Sequence, residues 1–197
     1  MIKVTLDTGS SFHVSPATAI EADISNGQTL SLNQLKRLKR TDVIHRSLNS
    51  ALRYLGPRPR SETEIKTRLS RYGFDAATIR QVVLILKQRG FVDDASFARF
   101  WRENRVTFKP RSHRLIELEL KQKGVAPEII AEAVKGIDEE QGAYRAAQRK
   151  KRALSGLDYP GFRKRLGAFL RRRGFDAELT NHTIDRVWQE DRNELPN

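Results

Sequence analysis

None of the 197 residues is cysteine, which excludes disulfides, thiol nucleophiles and cysteine-ligated zinc and suits a reducing compartment. Histidine is sparse too: His13, His45, His113 and His182 stand far apart without ligand spacing, so no metal site is expected. Nowhere do some eighteen apolar residues run together, the length a membrane span needs. The opening Met-Ile-Lys-Val-Thr-Leu-Asp lacks the apolar core of a secretory leader. A soluble, cytoplasmic protein without a membrane span is the expectation. Catalytic signatures are missing as well: there is no Walker-type glycine loop, Gly-x-Ser-x-Gly elbow or His-Glu-x-x-His. Asp93 and Asp94 form a carboxylate pair, but at the start of a helix their chemistry is that of an N-cap and a first-turn anion. The chain therefore reads as a non-enzyme with no cofactor and no catalytic residue.

What the chain has in excess is positive charge. Lysine and arginine number 37 against 24 acids, a net of +13, which favours nucleic acid or an acidic protein surface as partner. The excess sits late. Residues 141–173 hold eleven basic side chains against the single acid Asp158, whereas residues 1–45 hold five against four. A charged fraction of 31% and a mean hydropathy of -0.61 imply a large wet surface, so an elongated form is expected rather than one sphere.

Near the N-terminus Ile2, Val4 and Leu6 alternate with Lys3 and Thr5, then Thr8-Gly9-Ser10 precede Phe12 and Val14. Period two around a glycine turn predicts a short β-hairpin. Residues 16–30 are polar and mixed. Leu32, Leu35 and Leu38 begin helical spacing, and Ser47–Leu55 is predicted helical up to Gly56-Pro57-Arg58-Pro59, where two prolines forbid continuation. Ser61 with Glu64 forms a capping box, Gly73 suits a left-handed helix stop, and Asp75 and Asp93 cap the next two helices. Val92 and Phe97 are placed as a hydrophobic staple around Asp93.

A repeat organises the rest. Ile65, Leu69, Gly73, Ile79, Val83 and Leu86 recur 51 residues later as Ile116, Leu120, Gly124, Ile130, Val134 and Ile137. A further 50 residues on stand Leu166, Leu170, Gly174, Thr180, Ile184 and Val187, where only Thr180 departs in type and apolar Leu179 adjoins it. Each copy is a helix, a glycine cap and a helix. A third helix precedes it, carrying Ala51 and Leu55, Phe97 and Trp101, or Ala143 and Ala147. Units of this size bury too little surface to be very stable alone, so neighbours should stack. The fold class is mostly α: tandem three-helix repeats in an elongated, right- or left-curved array, with a short N-terminal β-hairpin. The expected division is 1–45 as an extension with the hairpin and the start of the first helix. Repeats follow at 46–92, 93–138 and 139–192 (the basic one), and 193–197 form a tail.

The repeat carries a family resemblance. Ala51-Leu52-Arg53-Tyr54-Leu55, Arg58-Pro59-Arg60-Ser61, Glu64-Ile65 and Leu69 resemble the opening repeat of RecX proteins. Gly90-Phe91-Val92-Asp93-Asp94 with Phe97-Ala98 resembles the next motif, and Leu118, Leu120, Lys123-Gly124-Val125 and Ile129 the second helix pair. The match runs over roughly 47–190, and the third repeat departs most. The resemblance implies a regulator that binds RecA filaments on DNA and inhibits their ATPase, recombinase and strand-exchange activities, modulating DNA repair and the SOS response. It implies no catalysis. The RecA filament is then the partner, single- or double-stranded DNA a further candidate, and a monomer the simplest state. A stand-alone helix-turn-helix-like DNA-binding protein is the alternative, because capped helix pairs and positive charge would suit that as well.

Two basic groups are the candidate contact residues. The late one comprises Arg149, Lys150, Lys151, Arg152, Arg163, Lys164, Arg165, Arg171, Arg172 and Arg173, with Arg145 nearby. On a helix Lys164 and Arg171 share a face, as do Arg165 and Arg172, while Phe162, Leu166, Phe169 and Leu170 take the opposite stripe. Most charge runs are merely solvated, but like charges at helical spacing repel by roughly 0.2–0.5 kcal/mol per pair, which favours an anionic partner. The smaller group is Arg58, Arg60, Arg68 and Arg71, where exposed linker chemistry and partner binding are equally weighted. Tyr54, Tyr72 and Phe108 beside arginines offer stacking surfaces for bases.

Overall fold

In the computed structural model residues 2–194 are described, and the chain divides into two compact units, Met1–Asp93 and Asp94–Asn197. The first opens with β1 (Ile2–Thr5) and β2 (Ser11–Val14), antiparallel in the register Ile2 to Val14 and Val4 to Phe12. This is the hairpin that the alternation predicts. A short helix α1 (Pro16–Glu21) follows, which the polar composition of 16–30 conceals. Its signal is local: Ser15 accepts a hydrogen bond from the Thr18 amide, and Pro16 occupies the first turn, where a missing N–H is harmless.

Helix α2 (Leu32–Leu55) is one continuous helix of 24 residues, starting within the extension as the leucine spacing predicts. No glycine or proline interrupts it, and the Ser31–Gln34 capping box fixes its start. It therefore joins the extension to the first module without a break. That module is completed by α3 (Glu62–Arg71) and α4 (Ala76–Gln88). Their core gathers Ala51, Ile65, Leu69, Val82, Val83, Leu86 and Val92.

One buried group docks the extension onto α2. Asp42, 4% exposed, accepts from the Ser15 amide at 2.6 Å and pairs with Arg46 at 3.1 Å. Thr18 reaches the same carboxylate at 3.4 Å and His45 Nδ1 at 3.0 Å, while His45 Nε2 meets Glu21 at 2.9 Å. Replacing Asp42 by alanine strands a buried amide, at a cost of about 1–3 kcal/mol. The expected outcome for D42A is faster proteolytic cleavage within residues 16–30 with little change at residues 61–88; an unchanged cleavage pattern would show that this carboxylate does not hold the extension.

The second unit contains α5 (Asp94–Thr107), α6 (His113–Gln122) and α7 (Pro127–Val134), then α8 (Glu139–Lys151), α9 (Tyr159–Arg172) and α10 (Ala177–Glu194). A single 3-10 turn, Arg152–Leu154, links α8 to α9. Phe97, Ile116, Leu120, Ile130 and Val134 centre one core; Ala143, Ala147, Phe162, Leu166, Leu170, Ile184 and Val187 centre the next. The fold is thus mostly α, with three-helix modules in tandem and a short N-terminal hairpin. Helix α10 continues through Glu194, so the expected tail begins inside it, and 195–197 lie outside the described residues.

The three hinge glycines adopt one conformation. Gly73, Gly124 and Gly174 have φ of 79°, 75° and 90°, each following a cap residue near φ −90°. At the first hinge the Phe74 amide donates to Leu69 C=O and the Gly73 amide to Ser70 C=O; Val125 and Gly124 repeat this onto Leu120 and Lys121. That pattern satisfies the last carbonyls of the helix and requires a residue tolerant of positive φ. Two positions depart from the expected repeat. Ile137 lies beyond α7, which ends before Gly136 at φ 71°, yet it still packs against its core. Thr180 is itself buried at 2%, more deeply than Leu179 beside it, and its hydroxyl finds no partner among the described residues.

Candidate interaction surface

The late basic run, uniform as a sequence, is sorted by the fold into tethered and solvent-facing side chains. Helix α8 starts at the Asp138 cap and buries Ala143, Ala146 and Ala147, leaving its basic last turn at the edge. There Arg149 donates to Phe108 C=O at 2.7 Å and Thr107 C=O at 2.9 Å, covering carbonyls at the end of α5. Arg173 donates to Pro110 C=O at 2.9 Å, and its own carbonyl accepts from the Ser112 amide at 3.0 Å. Both arginines thus fasten the second module to the third. Lys150 and Arg173 stand over the Phe169 ring at 5.8 and 4.4 Å, and Lys151 pairs with Asp191 at 2.7 Å.

On α9, Phe162, Leu166, Gly167 and Leu170 turn inward. The opposite face carries Lys164, Arg165, Arg171 and Arg172, all exposed. Spacings of seven bring Lys164 over Arg171 and Arg165 over Arg172. No carboxylate among the described residues pairs with any of the four. Arg163 reaches Asn181 Oδ1 at 3.5 Å and also interacts with the Tyr159 side chain, and Arg152 is exposed on the 3-10 turn. This face is the untethered part of the basic cluster.

Charges scattered through the sequence gather around Glu119 in the second module. Glu119, 11% exposed, accepts from Trp101 Nε1 at 2.6 Å and Arg105 Nε at 2.7 Å, and also pairs with Arg111. Arg105 and Lys123 each stand 4.2 Å from the Trp101 ring centre. Burial, with Arg105 and Arg173 nearby, holds the Arg111 guanidinium below its ordinary pKa; burial and Arg149 do the same for Arg173. Isolated arginines at 105 and 111 carry no signal as a charge run, so the sequence does not single them out.

The smaller group on the first unit also divides. Arg58 pairs with Glu64 at 2.8 Å, inside the capping box of α3. Arg60 donates to Tyr54 C=O at 3.2 Å and stacks 4.0 Å from its ring centre. Arg68 lies 5.2 Å from Tyr54 and 4.5 Å from Tyr72, whose hydroxyl accepts from it. Arg71 is separate, lining a shallow surface with Arg80. The Tyr54 and Tyr72 rings that could stack on bases are thus engaged by guanidinium groups, whereas Phe108 is 67% exposed. Asp93 immediately precedes α5, as a cap should, with Val92 and Phe97 both buried. Among the described residues no cluster of three or more His, Asp or Glu side chains could hold a metal, and no helix is long and apolar enough to cross a membrane.

Comparison with known proteins places this architecture. Three family models match in order: RecX first three-helix domain at residues 48–84, second at 93–134 and third at 138–184. A protein of Prosthecochloris aestuarii named regulatory protein RecX is 37% identical over 142 residues, covering 72% of this chain and 93% of that one. One of the same name from Lactobacillus johnsonii is 27% identical over 187 residues, covering 93% and 69%. A crystal structure of regulatory protein RecX superposes with a TM-score of 0.68 at 18% identity, covering 93% of this chain and 94% of that one. RecX from Lactobacillus salivarius gives 0.60 at 19%, covering 75% and 97%.

Proposed function

The chain belongs to the RecX family of regulatory proteins, and from that premise we propose that it binds the RecA filament on DNA and inhibits its ATPase, recombinase and strand-exchange activities, moderating DNA repair and the SOS response. The observation that carries the contact is the α9 face, where Lys164, Arg165, Arg171 and Arg172 are exposed without a carboxylate among the described residues. Arginine and lysine so placed meet phosphate or acidic side chains directly, because no internal partner must first be released. The modules 46–92, 93–138 and 139–192 act as successive contact units. A chain held on more than one RecA subunit binds one inter-subunit arrangement better than another, and so opposes the rearrangement that turnover needs. The protein acts as a cytoplasmic monomer, by binding alone, with no cofactor.

Binding to bare DNA by the same cations is the second reading. Fluorescence anisotropy on a labelled single-stranded oligonucleotide, bare and RecA-coated, separates the two. The filament reading expects affinity at least about tenfold higher for the coated oligonucleotide, roughly 1.4 kcal/mol. Equal affinity with a steep salt slope on both would instead make this a DNA-binding protein.

A further inference from the structure

A groove of about 820 Å³ runs beside α2 in the first unit, remote in sequence from the α9 face. Pro16, Val43 and Phe74 give it an apolar floor. Along one wall Arg46, Asn49 and Arg53 follow each other at turn-like spacing on α2; the opposite wall is the hinge around Gly73, where Tyr72 is 54% exposed. The groove continues into a recess that shares Ser50, Arg53 and Tyr72 with it and reaches Tyr54 and Arg68. Its acids are already used. Asp75 accepts from the Ala77 and Thr78 amides and the Thr78 hydroxyl, and the nearby Asp42 is taken by Arg46 and the Ser15 amide. Arg53 is exposed and no described side chain pairs with it.

We propose that this groove docks a short acidic peptide segment of a partner protein, its apolar side chains on the Val43–Phe74 floor and its carboxylates on Arg53 and Arg68. The complementarity is specific in kind. A guanidinium stacked on a tyrosine ring keeps in-plane N–H groups for the fork that a carboxylate accepts, and Arg68 is held that way against Tyr54 and Tyr72, giving an Nη2 N–H to the Tyr72 hydroxyl and keeping the others. A single-stranded nucleic acid would need those ring faces for its bases, yet guanidinium groups already stand over them. From Val43 to Arg53 the helix advances about 15 Å at 1.5 Å per residue, the length of four or five residues of extended chain at roughly 3.3 Å each. Arg53 and Arg68 lie within the family match at residues 48–84, whereas Pro16 and Val43 precede it.

The test uses the full chain and a fluorescein-labelled peptide, acetyl-Asp-Phe-Asp-Glu-Leu-Glu-amide, followed by anisotropy and by amide chemical shifts. Saturable binding is expected, with shifts at residues 49–53 and 72–75. The double variant Arg53→Glu with Arg68→Glu should weaken binding at least about tenfold, while Lys164→Glu with Arg171→Glu on α9 should leave it within about twofold. Helical circular dichroism of each variant confirms folding, and Arg53→Gln alone gives a milder version of the same loss. The proposal is overturned by no binding up to about 1 mM peptide, by equal affinity in the double variant, or by shifts that fall elsewhere. It also fails if an oligothymidylate, and not the peptide, perturbs residues 72–75.

Discussion

Gly174→Ala is expected to destabilise the second unit by about 3 kcal/mol, against about 1 kcal/mol in the first unit for Gly73→Ala, because two penalties coincide at the third hinge. Both glycines have positive φ, 79° at Gly73 and 90° at Gly174, and an alanine there is strained whatever surrounds it. At Gly73 an added Cβ meets nothing within 4 Å; at Gly174 it would overlap Ser112 Oγ and sit 2.9 Å from Leu115 Cβ. Ser112 cannot easily withdraw. Its side chain caps α6 through the Leu115 amide, and its own amide donates to Arg173 C=O at 3.0 Å. The third hinge is therefore also the seat of the second module's cap, and crowding it disturbs both. Denaturant unfolding checks this: similar midpoint shifts for the two variants would mean that the close approach at Gly174 is not resisted.

Reversing Lys164, Arg165, Arg171 and Arg172 to glutamate is expected to weaken action on the filament by about 2–4 kcal/mol, roughly thirty- to a thousandfold, if each exposed contact contributes ~0.5–1 kcal/mol. Folding should survive. These side chains have no carboxylate partner among the described residues, and the main penalty is acids in the last turn of α9, ~0.3–1 kcal/mol for each of Arg171 and Arg172. Arg149→Glu should behave oppositely, lowering the unfolding midpoint of the second unit, because its guanidinium covers the Thr107 and Phe108 carbonyls. Measuring inhibition and unfolding for both variants separates a contact surface from an internal tether. A quadruple variant that is fully folded and fully inhibitory would remove α9 from the interface.

The pattern of outcomes follows the range of each interaction. The hairpin, the Ser61 and Asp75 caps and the three hinge glycines were legible in the sequence, because alternation, capping and positive φ are set within a few residues. What the sequence does not disclose is why the middle of α2, around Thr41 to His45, is polar; those residues serve the extension, through Asp42 and Ser15, 27 positions apart. The basic run resisted sorting for the same reason. Nothing local distinguishes Arg149 or Arg173 from Arg171, and only the fold brings residues 107–110 against the first two across 41 to 63 positions. Thr180 broke the apolar pattern but not the burial, since threonine carries a methyl group into the core.

The regulatory account stands on one observable, the rate at which RecA hydrolyses ATP on single-stranded DNA as this protein is titrated in. The account predicts a saturable fall in that rate, reached at or below about one molecule per RecA subunit, and a fall displaced to much higher concentration for the α9 quadruple variant. Hydrolysis that stays constant while the wild-type chain is demonstrably bound to the filament would contradict it.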